Sequence, residues 1–419
     1  MSCRLSVECL TEIFEFLEKD KVTLHSCLLV NRLWCRVSVE ILWRNIWNAI
    51  SPSSRLSRLR ISSISSRILS TLVACLPNES RDFLLMNGVF ISNSKSPLFN
   101  YPSFCKVLSI SVLINDNFYK EFFETQNSIT SINSRDRNYM VAQELLKMFM
   151  KKISSLKKLT DEKIIYYYHD DNDNNFDYGK MTNFLNSFEA RDCLQNLSEL
   201  RCSSNLDPDF CYQLSQICKN IKSITIEFKY SILHGISHLI FSQNGLKSLT
   251  FIQHSYYNYS SNYQIIQDIL TKHSNTLTKL DLNGEWPLSI LTKFPNLQVL
   301  SLSFSDGLDL KTLQFVSLLQ LRILNMKLGY FKTESITFLI KFLENNGKNL
   351  KEFYINICNN SINSAIAEFC PNLRSLYTQF DKGDSLKEIL KDVNNWKALK
   401  FYVVMIMIHL LDIWEEMKC

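Results

Sequence analysis

Pro295-Asn296-Leu297-Gln298-Val299-Leu300-Ser301-Leu302 carries the pattern on which the fold turns. An apolar residue, Leu297, is followed three residues later by Leu300 and two later again by Leu302. Leu300 and Leu302 are spaced to share one face of a strand. Upstream the spacing returns at Leu277-Leu280-Leu282, Leu246-Leu249-Phe251, Ile221-Ile224-Ile226 and Leu197-Leu200-Cys202. Downstream it returns at Leu321-Leu324-Met326, Leu350-Phe353-Ile355, Leu373-Leu376-Thr378 and Trp396-Leu399-Phe401. Start-to-start intervals are 24, 25, 31, 20, 24, 29, 23 and 23 residues. Pro371-Asn372-Leu373 repeats the lead-in of Pro295-Asn296-Leu297, and Asn196, Asn220 and Asn349 stand at the same place before other units.

The stretches between these strands read as helices. Ile265, Ile266, Ile269 and Leu270 share a helical face, as do Ile336, Leu339, Ile340 and Leu343. The second of these helices is expected to stop at Asn345-Asn346-Gly347 with a left-handed cap. Each unit is thus a strand, a turn and a helix. One unit cannot bury its strand face alone, so neighbours must stack. A period in the twenties with this signature resembles the leucine-rich repeat. The resemblance implies an α/β chain whose strand-turn-helix repeats form a solenoid with a curved parallel sheet. It also leads one to expect Asn or Cys eight residues after the first leucine. Only Asn205 and Cys358 fit; Lys229, His254, Glu285 and Asp381 stand at other equivalent positions. Regular curvature is therefore in doubt. A plain α/β core with coincidental spacing is the alternative, and nine units weigh against it.

Phe104-Cys105-Lys106-Val107-Leu108-Ser109-Ile110 is placed as the first strand, with Cys105, Leu108 and Ile110 in register. Residues 115–195 are expected to hold one or two degenerate repeats and an exposed, mobile polar loop, His169-Asp170-Asp171-Asn172-Asp173-Asn174-Asn175. Residues 41–78 carry Arg44, Arg55, Arg58, Arg60 and Arg67, and Leu56, Leu59, Ile64, Ile68 and Leu72 recur at helical spacing. A connector helix with a solvated basic face is the reading preferred here; contact with nucleic acid or membrane is the rival.

The N-terminal residues pack many large hydrophobes into little chain. Leu10, Ile13, Phe14 and Leu17 fall at helical spacing, with Ser6 as cap and Glu8 in the first turn. Asp20-Lys21-Val22-Thr23 interrupts, and Thr23 can cap a second segment bearing Leu24, Cys27, Leu28, Val30 and Trp34. A third bears Val37, Ile41 and Leu42, with Trp43 and Trp47 after it. A segment this short with this much apolar surface is better suited to be half of an interface than a self-contained domain.

Leu-x-x-Glu-x-Leu-x-x-Ile-Phe-x-x-Leu from Leu5, Leu-Leu-Val-Asn-Arg-x-Trp from Leu28 and Ile-Leu-Trp-Arg from Ile41 resemble an F-box over about a tenth of the chain. Ser6 departs from the family's usual proline. The resemblance implies docking on a Skp-like adaptor and, through it, a cullin. It implies that Leu5, Leu10, Ile13, Phe14, Leu17, Leu24, Leu28, Val30, Trp34, Leu42 and Trp43 divide between the motif's own core and that interface. The rival is a helical cap that completes only its own core. The domain plan is 1–48 F-box, 49–100 helical connector and 101–419 repeat array, irregular to about 195 and clear from 196.

Bulk composition narrows the chemistry. The 419 residues are 46% hydrophobic and carry 46 basic against 41 acidic residues, a net charge of +5. That balance does not favour nucleic acid as the main partner. Nine glycines leave little material for phosphate-cradling loops, and no two lie closer than ten residues. No Gly-x-Ser-x-Gly elbow, Walker loop or dinucleotide turn occurs. The thirteen cysteines include no Cys-x-x-Cys pair, so zinc is not expected and most thiols should be buried and reduced. Asp171, Asp173 and Asn175 imitate a calcium loop, but Phe176 and Thr182 stand where glycine and a bidentate glutamate are needed. His234 and His238 lack a third ligand. Phe401 to Leu411 is the most apolar run, too short to span a membrane and better read as a buried terminal strand. Met1 leads into a polar, Glu-containing helix, so no secretory signal is expected.

The expectation is a non-enzymatic substrate receptor of a cullin-type ubiquitin ligase, cytoplasmic or nuclear, without cofactor or metal. Its repeats would hold a target protein on outward strand residues: Arg201, Glu227, Lys279, Asp281, Asn325, Lys327, Glu352, Tyr354, Tyr377 and Gln379. Tyr354 and Tyr377, on adjacent repeats, could form an aromatic anchor. An adaptor-independent repeat scaffold is the alternative.

Overall fold

The computed structural model describes residues 5–50, 57–91, 96–125, 132–161, 185, 187–204, 206–228, 234–253, 263–306, 310–330, 334–357, 359–378 and 400–403. The polar loop at 169–175 with its calcium-like residues, Asn205, Cys358, Gln379, Arg55, Leu56, Trp396 and the run from Val404 fall outside them. The described chain divides into two compact units, Met1–Ile221 with His234–Asn244, and Lys222–Leu233 with Gly245–Cys419.

The first unit opens with α1 (Val7–Glu15), α2 (Lys21–Cys27) and α3 (Arg32–Trp43). Ser6 caps α1 as expected, accepting from the Cys9 amide at 3.3 Å. The cap of α2 is Asp20 rather than Thr23: its carboxylate accepts from the Thr23 amide at 3.1 Å and from the Thr23 hydroxyl at 2.6 Å. A carboxylate there also faces the positive end of the helix dipole, which a threonine hydroxyl cannot match. Asn31 caps α3 through the Trp34 amide at 2.9 Å, which moves Trp34 from the second helix into the third.

α4 (Arg58–Ala74) and α5 (Asn78–Met86) follow. α4 buries Ser65, Leu69, Leu72 and Val73, while Leu59 is 84% exposed and Ile64 and Ile68 are half-buried. The apolar stripe read from spacing is therefore rotated. The helix turns toward its neighbours, α8 (Asp116–Thr125) and the 3-10 helix Ile46–Ile50, and these choose the buried face. α6 (Tyr101–Phe104), α7 (Ile110–Leu113) and α9 (Ser134–Lys152) complete this part.

The parallel strands β1 (Val107–Ser109), β2 (Lys158–Asp161) and β3 (Glu199–Ser203) then align Leu108, Leu159 and Leu200 in one row. β1 lies within the strand expected at Phe104–Ile110 but is shorter, since Phe104 ends α6 and Ile110 begins α7, and β2 is a degenerate repeat, Leu156-Leu159-Asp161, all three residues buried. α10 (Phe188–Leu194), α11 (Pro208–Ile217) and α12 (His234–Phe241) also belong to this unit.

The second unit is the more regular. β4 (Ser223–Phe228), β5 (Ser248–Gln253), β6 (Lys279–Asn283), β7 (Val299–Asp306), β8 (Ile323–Tyr330), β9 (Glu352–Ile355), β10 (Ser375–Thr378) and β11 (Lys400–Val403) pair in parallel, each with the next. Ile224, Leu249, Leu280, Leu300, Leu324, Phe353 and Leu376 form one continuous inward row, none more than 2% exposed. The chain thus has the α/β, strand-turn-helix architecture of a leucine-rich-repeat array. α13 (Tyr263–His273), α14 (Glu334–Asn346) and α15 (Asn360–Phe369) cover the intervals of 31, 29 and 23 residues. The intervals from Leu277 and from Leu297 carry 3-10 helices instead, at Leu288–Lys293 and Leu310–Phe315.

Two backbone devices hold the repeats in register. At the second position of a repeat, one carbonyl accepts two amides of the next repeat. The Lys247 oxygen takes Thr278 N at 2.9 Å and Lys279 N at 3.0 Å, and the Arg322 oxygen takes Lys351 N at 2.7 Å and Glu352 N at 3.1 Å. The asparagine before the first leucine reaches back one repeat: Asn296 donates to Asn275 O, Asn349 to Leu319 O and Asn372 to Lys348 O, at 2.8–2.9 Å. These clasps satisfy loop carbonyls at the exposed boundary between repeats.

The Gly347 expectation fails in its reason. Gly347 does not take a left-handed conformation; α14 runs on into a 3-10 turn, Gly347–Asn349. Glycine is needed for approach, since a β-carbon there would lie 2.6 Å from the Phe369 carbonyl and 2.8 Å from Cys370 Sγ.

Candidate protein-interaction surfaces

The N-terminal helices close a small core of Leu10, Phe14, Leu24, Cys27, Val37 and Ile41, with Leu17, Trp34 and Leu42 packed against it. Phe14 meets Trp34 edge to face, ring centroids 5.2 Å apart. Leu10, Phe14 and Leu24 are at most 2% exposed, so no partner reaches them; of the candidate adaptor residues these three are structural. Leu17, Leu28, Trp34, Leu42 and Trp43 are half-buried, and Leu5, Ile13 and Val30 are exposed. Trp43 is turned inward onto Tyr101, centroids 4.5 Å apart, which removes it from an outer face.

Five exposed apolar residues escape the spacing argument. Phe16 is 90% exposed, Leu29 89% and Val22 78%, and Val7 on α1 and Leu33 on α3 are also exposed. A signal for two of them is present in the sequence. Phe14-Glu15-Phe16-Leu17 and Leu28-Leu29-Val30 hold more large apolar residues than one helical face or one turn can bury. The core closes without these side chains, and burying each fully would contribute about 1.5–3 kcal/mol. Apolar surface that the module's own core does not use is therefore left exposed.

The module is also joined to the first repeat. The Arg44 carbonyl accepts from Lys106 N at 2.9 Å and Val107 N at 3.1 Å, the same two-amide pattern that links repeats. Buried Trp47 donates from Nε1 to Val107 O at 2.7 Å. The Arg44 guanidinium grips both Glu15 carboxylate oxygens, at 2.5 and 2.6 Å, tying the end of α3 to the end of α1.

These bonds from Arg44 hold the Glu15 carboxyl below its ordinary value, outweighing the partial burial that raises it, and the Arg44 charge lowers it further. A lowered folded-state value means the pair stabilises the helices above the unfolded carboxyl range and stops doing so as pH falls below about 4.5. Glu15 is 43% exposed, so the contribution is at most about 1 kcal/mol. Glu15→Gln should therefore melt slightly below the native chain at pH 7, and the gap should narrow as pH falls from 4.5 downward. A gap that widens on acidification would contradict this.

In the second unit the outward rows can be read across strands. One row runs Thr225, Thr250, Asp281, Ser301, Asn325, Tyr354 and Tyr377. Tyr354 and Tyr377 stack, centroids 5.0 Å apart and 24° between planes, and Lys327 Nζ lies 5.9 Å from the Tyr354 centroid. Asn325 donates to Ser301 Oγ at 3.1 Å. Burial pushes the Asp281 carboxyl up, opposed by the charges of Lys279 and Lys327. Lys279, Lys327 and Glu352 are exposed. Glu227 is a correction: it is only 7% exposed, between buried Ile226 and Phe228, because the end of β4 is covered on its outer as well as its inner face. Arg201 stands half-exposed on β3 in the first unit.

Other candidates resolve into structure. Ser215 Oγ lies 3.2 Å from His238 Nδ1, beside the Tyr212 ring, while the His234 side chain is outside the described residues. Among the described residues no group of three His, Cys, Asp or Glu is placed to hold a metal, and no single helix is long and apolar enough to cross a membrane. Burial pushes the thiols of Cys105, Cys193, Cys211, Cys218 and Cys370 up to about 12, which makes them inert. Cys9, by contrast, is exposed.

No protein-family model and no curated protein matches the chain. Among solved structures, the crystal structure of a Rad7 and Elc1 complex in yeast aligns with a TM-score of 0.37 and 14% identity, covering 98% of this chain and 97% of that one. A likeness that weak carries no argument.

Proposed function

We propose that the chain is a substrate-recognition subunit of a Skp–cullin–F-box type ubiquitin ligase. The N-terminal helices dock on a Skp-like adaptor, and the repeats hold a target protein. The observation that carries this reading is the large apolar surface, Phe16 and Leu29 above all, left on three short helices whose core is complete without it. The F-box resemblance of the same residues supplies the identity of the missing partner. The receptor itself transfers nothing and works in the cytoplasm or nucleus. Holding target and ubiquitin carrier in one assembly raises their effective concentration, and that positional effect is the whole of its contribution.

Purified full-length chain should capture a purified Skp-like adaptor. Phe16→Glu with Leu29→Glu should weaken capture at least tenfold, because each places a charge in a desolvated contact. Their melting temperature should stay unchanged, since neither side chain belongs to the core. No capture by the native chain, or undiminished capture by the folded double variant, would leave the adaptor-independent scaffold as the better reading.

A further inference from the structure

The register that stacks the repeats also lines up their second positions, and in the second unit these are strongly basic. The sequence there runs Lys222, Lys247, Thr278, Gln298, Arg322, Lys351 and Arg374. Each of the last six donates its amide to the carbonyl of the one before, at 2.7–2.9 Å, so the backbone of the row is fixed one strand spacing at a time. Lys222, Lys247, Arg322 and Arg374 are exposed and Lys351 is half-exposed. Among the described residues none of these five side chains forms an ion pair. Nothing in the stacking of repeats needs a cation there, since Thr278 and Gln298 make the same backbone contacts. The charge is therefore surplus to the fold.

We infer that this row binds an extended acidic segment of a target protein. The inference names the chemistry of the target and rests on the repeats being a target-binding surface, as proposed above; it does not depend on adaptor docking. Strand spacing of about 4.8 Å makes the row about 29 Å long, the reach of about nine extended residues. The charges fall in two blocks, Lys222 with Lys247 and Arg322 with Lys351 and Arg374, separated by about 14 Å of neutral row. A polypeptide can match that layout with two acidic blocks and about four neutral residues between them. A nucleic-acid strand cannot interrupt its charge. With one phosphate per roughly 3.4 Å of duplex axis, it would leave several unmatched over Thr278 and Gln298. Polypeptide is therefore the favoured occupant.

The test uses full-length protein and a fluorescein-labelled nine-residue peptide, Glu-Glu-Ser-Gly-Ser-Gly-Glu-Glu-Glu, read by anisotropy in 50 mM salt. The expected result is binding at least tenfold tighter than that of the same peptide with glutamine for glutamate, weakening as salt rises to 200 mM. Arg322→Glu with Lys351→Glu and Arg374→Glu should weaken it more than tenfold, and Lys222→Glu with Lys247→Glu several-fold. Should the triple reversal misfold, Arg322→Gln with Lys351→Gln and Arg374→Gln removes the charge alone and should weaken binding at least threefold. Three results overturn the inference: a glutamine peptide that binds as well, a folded charge variant that binds undiminished, or a nine-nucleotide oligothymidine that binds more tightly than the peptide. The Phe16→Glu, Leu29→Glu chain should bind the peptide as the native chain does, so loss of adaptor capture and loss of this site are read separately.

Discussion

Phe14→Ala should unfold α1–α3 and leave the strands β4–β10 intact. Phe14 is 2% exposed and supplies the largest side chain of a core with only six fully buried members. Truncation removes its edge-to-face contact with Trp34 and opens a cavity between all three helices. Phenylalanine-to-alanine changes in cores cost about 3–5 kcal/mol. A module this small has little more than that to lose. Hydrogen exchange read peptide by peptide should show amides of residues 7–43 losing protection while those of β4–β10 keep theirs. Retained protection in α1–α3 would mean that the core described here is not what holds them. Phe16→Ala, two residues on and 90% exposed, should change stability by less than about 0.5 kcal/mol. The pair matters for the adaptor test, because an alanine at Leu10 or Phe14 would abolish capture by unfolding the module and so prove nothing about contact.

Gly284→Ala is the second large effect, expected to destabilise the repeats by about 2–4 kcal/mol, from left-handed backbone strain and local overpacking together. Gly284 has φ +109°, and a β-carbon there would press into the root and amide of the Gln253 side chain. That side chain cannot step aside, since its Oε1 accepts from Glu285 N at 2.7 Å. The Gly284 amide is itself bonded to Ser303 O at 2.7 Å. Gly245 is the control. It has no positive φ, and a β-carbon would approach only Lys222 Nζ, the free end of a long side chain, at 3.3 Å. Gly245→Ala should be neutral or stabilise by up to about 1 kcal/mol, by restricting the unfolded chain. The urea midpoint should thus fall for Gly284→Ala and stay or rise for Gly245→Ala. Equal shifts would remove the strain argument.

Much of the architecture was legible because the repeat signal is local and recurs. Leu249, Leu280, Leu300 and Leu324 point inward wherever the strand pairs, since strand side chains alternate strictly. The stacked Tyr354 and Tyr377 were legible for the same reason: equal register on adjacent repeats puts them side by side. The helices were harder. A helical stripe is wide, and Leu59 and Leu72 satisfy the same spacing on α4, yet one is 84% exposed and the other fully buried. Glu227 alternates correctly and is still covered, because alternation gives direction and not solvent access.

The sequence by itself determined the repeat frame: which residues start each strand, which face inward, and that the units stack in parallel. Those properties follow from side-chain periodicity and from the need of each strand face for a neighbour. The tertiary structure decided which N-terminal hydrophobes close a core and which stay exposed, why position 347 must be glycine, and that Arg44 extends the backbone ladder of the repeats into the first helices. Burial and close approach depend on what lies across the contact, often tens of residues away in the chain. Spacing along the sequence does not carry that information.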